Sequence, residues 1–409
     1  MEHQRLPLPK GPANPKGPAN SAFILASDKI QFWFFCAATL LSYVTILSTS
    51  FLSVILASAS MNRKEIGIIL SSPIITTVLA ILCAGFLIQT FSALRTAITG
   101  QLICLISFLS FEWTIPNFTG ALASRALLGF GTGLFFAAAL VYAKSKLKGP
   151  RTTYFFGIFS SMISFPAALA PTIAEAYFNH YGTRYLFIFL AAPVFSGLII
   201  SLLLRADATK RGAFNRSQVT YFGLLRTRAV LVPILMVTVV GLLWGFALSF
   251  MALLLHKNNV KTPYFFSVCT IVLLGSRILV LKMFTVARRE YTISAGLWLM
   301  AISYFILSVF QITILTTVGA AMLFGVGYSF AFPVLSVWIS DQFEPHDRGK
   351  PVALLGACFQ SGLFAAPLLV GLFSFYMSFE SILFALATLA IATSLLFLET
   401  PAPRLTRMT

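Results

Sequence analysis

Long apolar segments recur along almost the whole chain, and they limit what it can fold into more than any other feature. Twelve runs of roughly 20 residues, the length with which a helix crosses the hydrocarbon core of a bilayer, alternate with short polar breaks. Soluble domains are about 25% charged, whereas this chain is 10% charged and 58% hydrophobic. One water-soluble core cannot bury this much apolar surface, so the sequence predicts an all-α integral membrane protein.

The predicted spans are joined by short connections. They cover residues 31–57, 66–88, 97–115, 119–143, 154–177, 185–204, 229–255, 263–282, 292–311, 314–339, 352–374 and 380–398. The third and fourth spans are divided only by the break Ile115-Pro116-Asn117. Residues 1–30 form a leading tail in which Lys-Gly-Pro-Ala-Asn occurs twice, and this Pro- and Gly-rich composition predicts a flexible segment.

The net charge of +17 is high enough to suggest a nucleic-acid partner, but the placement of the charges gives another explanation. With the amino terminus placed inside, 22 of the 29 Lys and Arg residues fall in the tails and inner loops, and five fall in outer loops. Such an excess is typical of the cytoplasmic side of a membrane protein. We therefore expect no nucleic-acid partner and two cytoplasmic termini.

Two sets of residues repeat with the same Gly-to-Pro spacing of 40 residues and with an Arg at nearly the same place between them. They are Gly129-Phe130-Gly131, Arg151 and Pro171 in the first half of the chain, and Gly325-Val326-Gly327, Arg348 and Pro367 in the second. An offset of 196 residues maps the fourth to sixth spans onto the tenth to twelfth. Repeats of this kind are typical of transporters whose halves rock about a site between them. The predicted halves are residues 31–205 and 229–399, with a basic linker at 206–228 and a tail at 400–409.

These motifs resemble those of the major facilitator superfamily, and in particular of its bacterial arabinose-efflux and drug-efflux branch. The similarity covers the chain after residue 30. Its strongest part is Gly325-Val-Gly-Tyr-Ser-Phe-Ala-Phe-Pro333, followed by His346-Asp-Arg-Gly349 and Ala366-Pro367. In the first half, Arg125-Ala-Leu-Leu-Gly129-Phe-Gly131 resembles the fourth-helix motif of the family.

The motif of the second inner loop departs from the family pattern, which is Gly-x-Leu-x-Asp-x-x-Gly-x-x-Arg. Gly85, Leu87 and Arg95 are kept, whereas Gln89 replaces the Asp and Ser92 the second Gly. The departure removes the carboxylate on which charge-relay gating by this loop depends.

The resemblance implies twelve transmembrane helices in two pseudo-symmetric six-helix halves, and secondary active transport by alternating access. It further implies proton-linked efflux, or antiport, of a small organic solute across the bacterial inner membrane, by a monomer that needs no cofactor. A nutrient importer of the same fold is the alternative, because the number of spans does not determine the direction of transport.

Two arginines fall inside predicted spans, where a guanidinium is costly unless it faces a wet or protein-lined interior. Arg125 lies about six residues into the fourth span; by resemblance, the matching residue of efflux relatives takes part in proton movement or substrate binding. Hydrogen bonds to helix carbonyls are its structural alternative. Arg277, near the inner end of the eighth span, either extends to the membrane surface or pairs with Asp341 or Glu344 to form a gate.

Carboxylates are the natural groups for proton coupling, yet none of the twelve lies near the midpoint of a span. Glu175 and Glu112, near the outer ends of the fifth and third spans, are the best candidates. Gln360 stands in the eleventh span where relatives often carry an Asp. Without a midplane carboxylate the arginines make the interior positive, which predicts an anionic substrate such as an organic acid or a siderophore.

Trp244, in the middle of the seventh span, is the tryptophan expected either to line the cavity or to pack between helices. The other tryptophans lie mostly near span ends, where interfacial belts account for them.

Three other function classes have weaker support. An ATP-driven pump needs a Gly-x-x-x-x-Gly-Lys-Ser/Thr loop, which the sequence lacks, and the four histidines of the chain are too scattered to suggest an enzyme. A copper carrier would use soft ligands, and Met236, Met251, His256 and Cys269 do not share one helical face.

Overall fold

The computed structural model of the protein describes residues 19–115, 117–147, 152–205, 228–283, 289–341, 349–374 and 376–398, and every regular element among them is helical. The α-helices are α1 (Ala19–Ser48), α2 (Leu52–Ser58), α3 (Arg63–Ser71), α4 (Pro73–Thr90), α5 (Ala93–Thr114), α6 (Phe118–Ser145), α7 (Thr152–Ser164), α8 (Pro166–Tyr181), α9 (Leu186–Leu202), α10 (Arg228–Phe246), α11 (Ala252–Lys257), α12 (Pro263–Met283), α13 (Arg289–Val309), α14 (Ile314–Asp341), α15 (Gly349–Phe373) and α16 (Phe379–Leu398). An all-helical structure is expected in a bilayer, where a helix satisfies its own backbone hydrogen bonds.

Ten helical segments in the described part of the chain are long and apolar enough to cross a membrane. They coincide with ten of the twelve predicted spans to within four residues at each end. The predicted sixth span corresponds to the shorter apolar helix α9, Leu186–Leu202, and the predicted eighth span corresponds to α12, Pro263–Met283. The break predicted between the third and fourth spans is confirmed, since α5 ends at Thr114 and α6 begins at Phe118.

Four crossings are interrupted rather than continuous. A 3-10 turn, Thr49–Phe51, joins α1 to α2, and a π segment, Ala247–Met251, joins α10 to α11. The breaks between α3 and α4 and between α7 and α8 come directly before Pro73 and Pro166, because a proline has no amide hydrogen to continue the helix behind it.

Two ends of the helix bundle are distinguished below. The distal end carries the connections at residues 59–62, 182–185 and 258–262, and the proximal end is the one at which α1 begins. The first helix starts at Ala19, so residues 19–30, assigned to the flexible tail from the sequence, are helical. The apolar run Ala22-Phe23-Ile24-Leu25 contains neither Pro nor Gly and extends the helix backwards. Residues 1–18, the linker at 206–227 and the tail at 399–409 lie outside the described residues.

The two halves repeat individual contacts with the offset of 196 residues. A Cβ added at Gly100 would lie 2.8 Å from the carbonyl oxygen of Gly131, and one added at Gly296 would lie 2.7 Å from that of Gly327. These pairs hold α5 against α6 and α13 against α14. Gly296 lies 196 residues after Gly100, and Gly327 lies 196 residues after Gly131. The internal repeat is therefore a property of the packing as well as of the sequence.

A hydrogen bond between the same helices repeats in the same way. Ser107 donates through Oγ to the carbonyl oxygen of Ser124 at 2.7 Å, and Ser303 donates to that of Ala320 at 2.7 Å. At a larger scale, α6 packs on α4 and α5, α9 on α1 and α5, and the second half repeats these pairings with α14 on α12 and α13, and α16 on α10 and α13. The two halves thus share the same pattern of helix packing.

The glycine contacts within each half generate a stability prediction. In Gly296→Val, the new side chain would overlap the backbone of α14, because its Cβ alone would lie 2.7 Å from the amide nitrogen of Ala331. We expect a loss of about 1–3 kcal/mol, measured as a lower thermal unfolding temperature in detergent. Gly319→Val is the matched control, since no atom lies within 4 Å of a Cβ there. Equal unfolding temperatures would contradict the role of Gly296.

Candidate substrate cavity and distal closure

Helix α6 presents its sides to different neighbours. Gly129 and Gly133 lie against α4, and Gly131 lies against α5. Leu127 and Val141 are exposed on a third side, as residues facing lipid are expected to be. The side that remains faces none of these neighbours and is called the candidate cavity face.

Arg125, Thr132 and Phe136 lie on this remaining side of α6, because spacings of seven and four residues return to one face of a helix. All three are half-buried. The Nε of Arg125 is buried without a hydrogen-bond partner, and no ion pair joins this guanidinium to any described residue. A charged group in this position normally requires a partner, and no carboxylate among the described residues supplies one.

The equivalent face of α14 is aromatic. With the offset of 196, Tyr328 corresponds to Thr132 and Phe332 to Phe136. Trp244 of α10 stacks on Tyr328 with ring centroids 4.8 Å apart and planes at 15°. Trp244, which is half-buried, also stacks on the buried Phe324, so its predicted place in the cavity wall stays a prediction.

Gln360 lies on the side of α15 that faces the first half. It precedes Pro367 by seven residues and Gly371 by eleven, and both of these contact Gly67 in the other half. Gln360 is half-buried and makes no hydrogen bond with any residue in the described ranges. Its side-chain amide therefore has no hydrogen bond to a described residue, and it lies at the boundary between the halves, on the proximal side of the Gly67 contact.

One contact that closes the distal end is an approach of two backbones. A Cβ added at Gly67 would lie 2.6 Å from the Cα of Gly371 and 2.6 Å from the carbonyl oxygen of Pro367. No side chain fits between α3 and α15 at this point. Nearby, the 3-10 turn of the first half also packs against the π segment of the second.

The second distal contact is polar and carries a charge. Glu175 of α8 accepts hydrogen bonds through Oε2 from the backbone amide of Thr262, at 3.1 Å, and from the Thr262 hydroxyl. Thr262 directly precedes α12, so the carboxylate also lies at a helix N-terminus, where negative charge is favoured. With the offset of 196, Glu175 corresponds to Gly371, and Gly67 to Pro263. The two closures are thus related by the internal repeat.

Glu112, the other carboxylate selected from the sequence, has a different place. It accepts hydrogen bonds from the backbone amides of Tyr185, at 2.6 Å, and Phe187, at 3.2 Å, at the start of α9. Both partners belong to the first half, so this bond is independent of how the halves are placed. Glu175, in contrast, is 8% exposed and joins the two halves.

The proximal motif residues are only partly described. Arg151, Glu344 and Arg348 lie outside the described residues, as do the side chains of Arg277 and Asp341; the predicted gate between Arg277 and these carboxylates stays a prediction. Pro171 is buried inside α8.

The second inner loop is described in full. Gly85 has no atom within 4 Å of an added Cβ, and Arg95 is exposed. Ser92, which replaces the Gly of the family motif, has a φ of 120°, a backbone conformation that favours glycine. The loop thus keeps the shape of the motif although the Asp and Gly are lost, and the Ser92 hydroxyl accepts a hydrogen bond from the Arg95 amide.

Sequence reasoning missed Gly67, Thr262, Tyr328 and Phe332 as site residues. The offset of 196 could have found two of them, because it maps Thr132 and Phe136, on the helix face of Arg125, onto Tyr328 and Phe332. No sequence signal marks Thr262, which acts mainly through its backbone.

The comparison with protein families agrees with this architecture. The family model described as Major Facilitator Superfamily matches residues 34–287 and 285–407. The chain therefore belongs to the major facilitator superfamily, and it is a membrane transport protein rather than an enzyme. The comparison with curated protein sequences returned no match.

Solved structures with the same fold are transporters of several kinds. The nucleoside transporter NupG has 13% sequence identity and a TM-score of 0.75, over 92% of this chain and 99% of that chain. A POT family transporter in complex with 5-aminolevulinic acid has 10% identity and a TM-score of 0.76, over 90% and 95%. The D-xylose-proton symporter has 14% identity and a TM-score of 0.72, over 90% and 97%. At these identities the likeness shows the fold alone.

The Gly67 contact generates a prediction about distal closure. In Gly67→Leu the new side chain would separate α3 from α15. We therefore expect faster maleimide labelling of a cysteine introduced by Ser267→Cys in a background without the native cysteines, because Ser267 donates to the Ala168 carbonyl across the two halves.

Gly85→Leu is the control for this experiment, since it places the same side chain where an added Cβ meets no atom within 4 Å. Equal labelling rates in the two variants would mean that the Gly67 contact does not hold the distal end closed.

Proposed function

We propose that the protein is a secondary active transporter that exports a small organic anion across the bacterial inner membrane in exchange for protons, as a monomer with both termini in the cytoplasm. In this orientation the distal end faces the outside, and the contacts of Gly67 and Glu175 close the cavity on that side. The observation that carries the proposal is the guanidinium of Arg125, whose Nε is buried without a hydrogen-bond partner and which forms no ion pair with any described residue.

An anionic substrate follows from the electrostatics of this face. A guanidinium in a region of low dielectric attracts anions, and it binds a carboxylate through two parallel hydrogen bonds. Glu175, the described carboxylate that joins the two halves, does not pair with Arg125, because it already accepts hydrogen bonds from Thr262. A solute carboxylate would therefore supply the charge that the protein does not.

Glu175 supplies the link to protons. When ionised, it accepts two hydrogen bonds from Thr262 and stabilises the distal-closed state. When protonated, it loses its attraction to the N-terminus of α12 and accepts weaker hydrogen bonds than an ionised carboxylate does, so the distal-open state is favoured. A proton bound from the outside and released when the distal end closes moves inward once per cycle.

The role of Arg125 is tested by binding of simple anions. We expect Arg125→Gln to weaken binding of salicylate and citrate at least about tenfold, because a hydrogen bond to a charged group is worth about 1.5–3 kcal/mol. Isothermal titration calorimetry on the purified protein measures this change. Arg184→Gln, which removes an exposed arginine at the distal end, should have no effect. An unchanged affinity of Arg125→Gln for both acids, together with tighter binding of tetraphenylphosphonium than of either acid, would contradict the proposal.

The role of the Glu175 charge is tested by neutralising it. With the same reporter cysteine, we expect Glu175→Gln to be labelled faster than the wild-type background at the same pH, because the amide lacks the charge that is favoured at the N-terminus of α12. Glu112→Gln is the matched control, because it removes the same charge from a contact within one half, and it should be labelled at the wild-type rate. Equal labelling of Glu175→Gln and the wild-type background would contradict the role of Glu175 in distal closure.

Proton-driven uptake of a nutrient is the second candidate, and the fold shared with the D-xylose-proton symporter favours it. The same cavity and the same closure serve either direction. An inward proton gradient across proteoliposomes decides between them: antiport expels the preloaded acid, and symport accumulates it.

A further inference from the structure

Aromatic rings form a continuous wall on the second half of the cavity. Trp244 stacks on Tyr328 at 4.8 Å, Tyr328 stacks on Phe332 at 5.8 Å with planes at 2°, and Phe332 lies 4.6 Å from Phe359. These four residues are called the aromatic wall. Trp244 and Phe332 are half-buried, whereas Tyr328 and Phe359 are buried, with 8% and 9% of their surface exposed. The accessible part of the wall therefore belongs to Trp244 and Phe332.

Three of the four rings are specific to the second half. The offset of 196 places Ser48 at the position of Trp244, Thr132 at that of Tyr328 and Ile163 at that of Phe359, and only Phe332 has an aromatic counterpart, Phe136. The contacts that hold the helices together, such as Gly100 with Gly131 and Gly296 with Gly327, are nevertheless alike in both halves. The same helix arrangement therefore forms without an aromatic wall.

The wall and Arg125 lie at different depths. The counterpart of Arg125 on α14 is Ala321, and the two share a depth because the halves of such a repeat are related by an axis along the membrane normal. Tyr328 and Phe332 follow Ala321 by seven and eleven residues. At 1.5 Å per residue, the wall lies about 10–16 Å closer to the proximal end than Arg125 does.

We infer that the substrate is an extended aromatic acid, with a planar ring that stacks on the aromatic wall and an acidic group about 10 Å away that binds Arg125. This inference rests on the proposed function and deepens it. Ring faces also attract cations, but no described carboxylate lies on this face of either half, and Arg125 repels a cation. A neutral aromatic compound would leave the guanidinium without a partner.

The test compares acids that differ only in ring type or in length. Purified protein is titrated with 6-phenylhexanoate, with 6-cyclohexylhexanoate as the match in size and hydrophobicity, and with the shorter 3-phenylpropanoate. We expect the phenyl acid to bind about threefold to tenfold more tightly than the cyclohexyl acid, because stacked rings gain energy beyond their buried area. The short acid should bind more weakly than the long one, since it cannot reach both groups.

Variants assign the ring preference to the wall. Trp244→Ala should abolish the difference between the phenyl and cyclohexyl acids, and Phe332→Leu, which keeps most of the packed volume, should reduce it. Trp113→Ala, which removes a tryptophan that is 73% exposed, should leave the difference intact. Arg125→Gln should weaken both long acids to the same extent.

Two outcomes separate the failure of this inference from the failure of the proposed function. Equal binding of the phenyl and cyclohexyl acids, still dependent on Arg125, would overturn the aromatic substrate and leave the anion transporter standing. Binding of tetraphenylphosphonium without binding of any acid would overturn both.

Discussion

The close approach of helix backbones at glycine is the constraint on which the rest of the structure depends. Helices in lipid gain nothing by leaving one apolar surrounding for another, so their association relies on contact at short range and on hydrogen bonds. Gly131 and Gly327 provide such contacts within the halves, and Gly67 and Gly371 provide one between them. The contacts within a half recur along whole helices, whereas those between the halves are concentrated at the distal end. A molecule built in this way separates more readily into two bodies than into individual helices.

The fold could be predicted from the sequence to a large extent because its two main signals, apolar length and internal spacing, are direct consequences of a bilayer. The sequence predicted helix ends less well where a helix continues into water. Residues 19–30 illustrate this, since hydropathy marks the part that crosses lipid and not the turns that precede it. The shorter sixth span has a related cause: α9 begins only after Tyr185, whose φ is 58°, and this is a local backbone effect that a hydropathy window averages out.

The site could be predicted only where a residue is unusual in its surroundings. Arg125 and Glu175 are charged residues in apolar helices. In the structure the Nε of Arg125 is buried without a hydrogen-bond partner, and Glu175 accepts hydrogen bonds from Thr262 of the other half. Glu112 was equally unusual, and only the partners of its carboxylate, which lie in the same half, distinguish it from Glu175. For Tyr328 and Phe332 the sequence offers no such contrast, because a chain with 41 phenylalanines places aromatic rings against lipid, in cores and in cavities alike. Which of these applies is decided by helix pairing, and helix pairing is a property of the folded molecule.

The π segment at Ala247–Met251 has a consequence for how one crossing serves two purposes. A π turn accommodates one residue more than an α turn, so every side chain beyond Met251 is rotated by about 100° relative to an uninterrupted helix. Trp244, which precedes the segment, keeps its direction whether the segment is π or α. A change of this segment from π to α would therefore turn α11 about the helix axis, while the part of α10 that carries Trp244 would stay in register with α14.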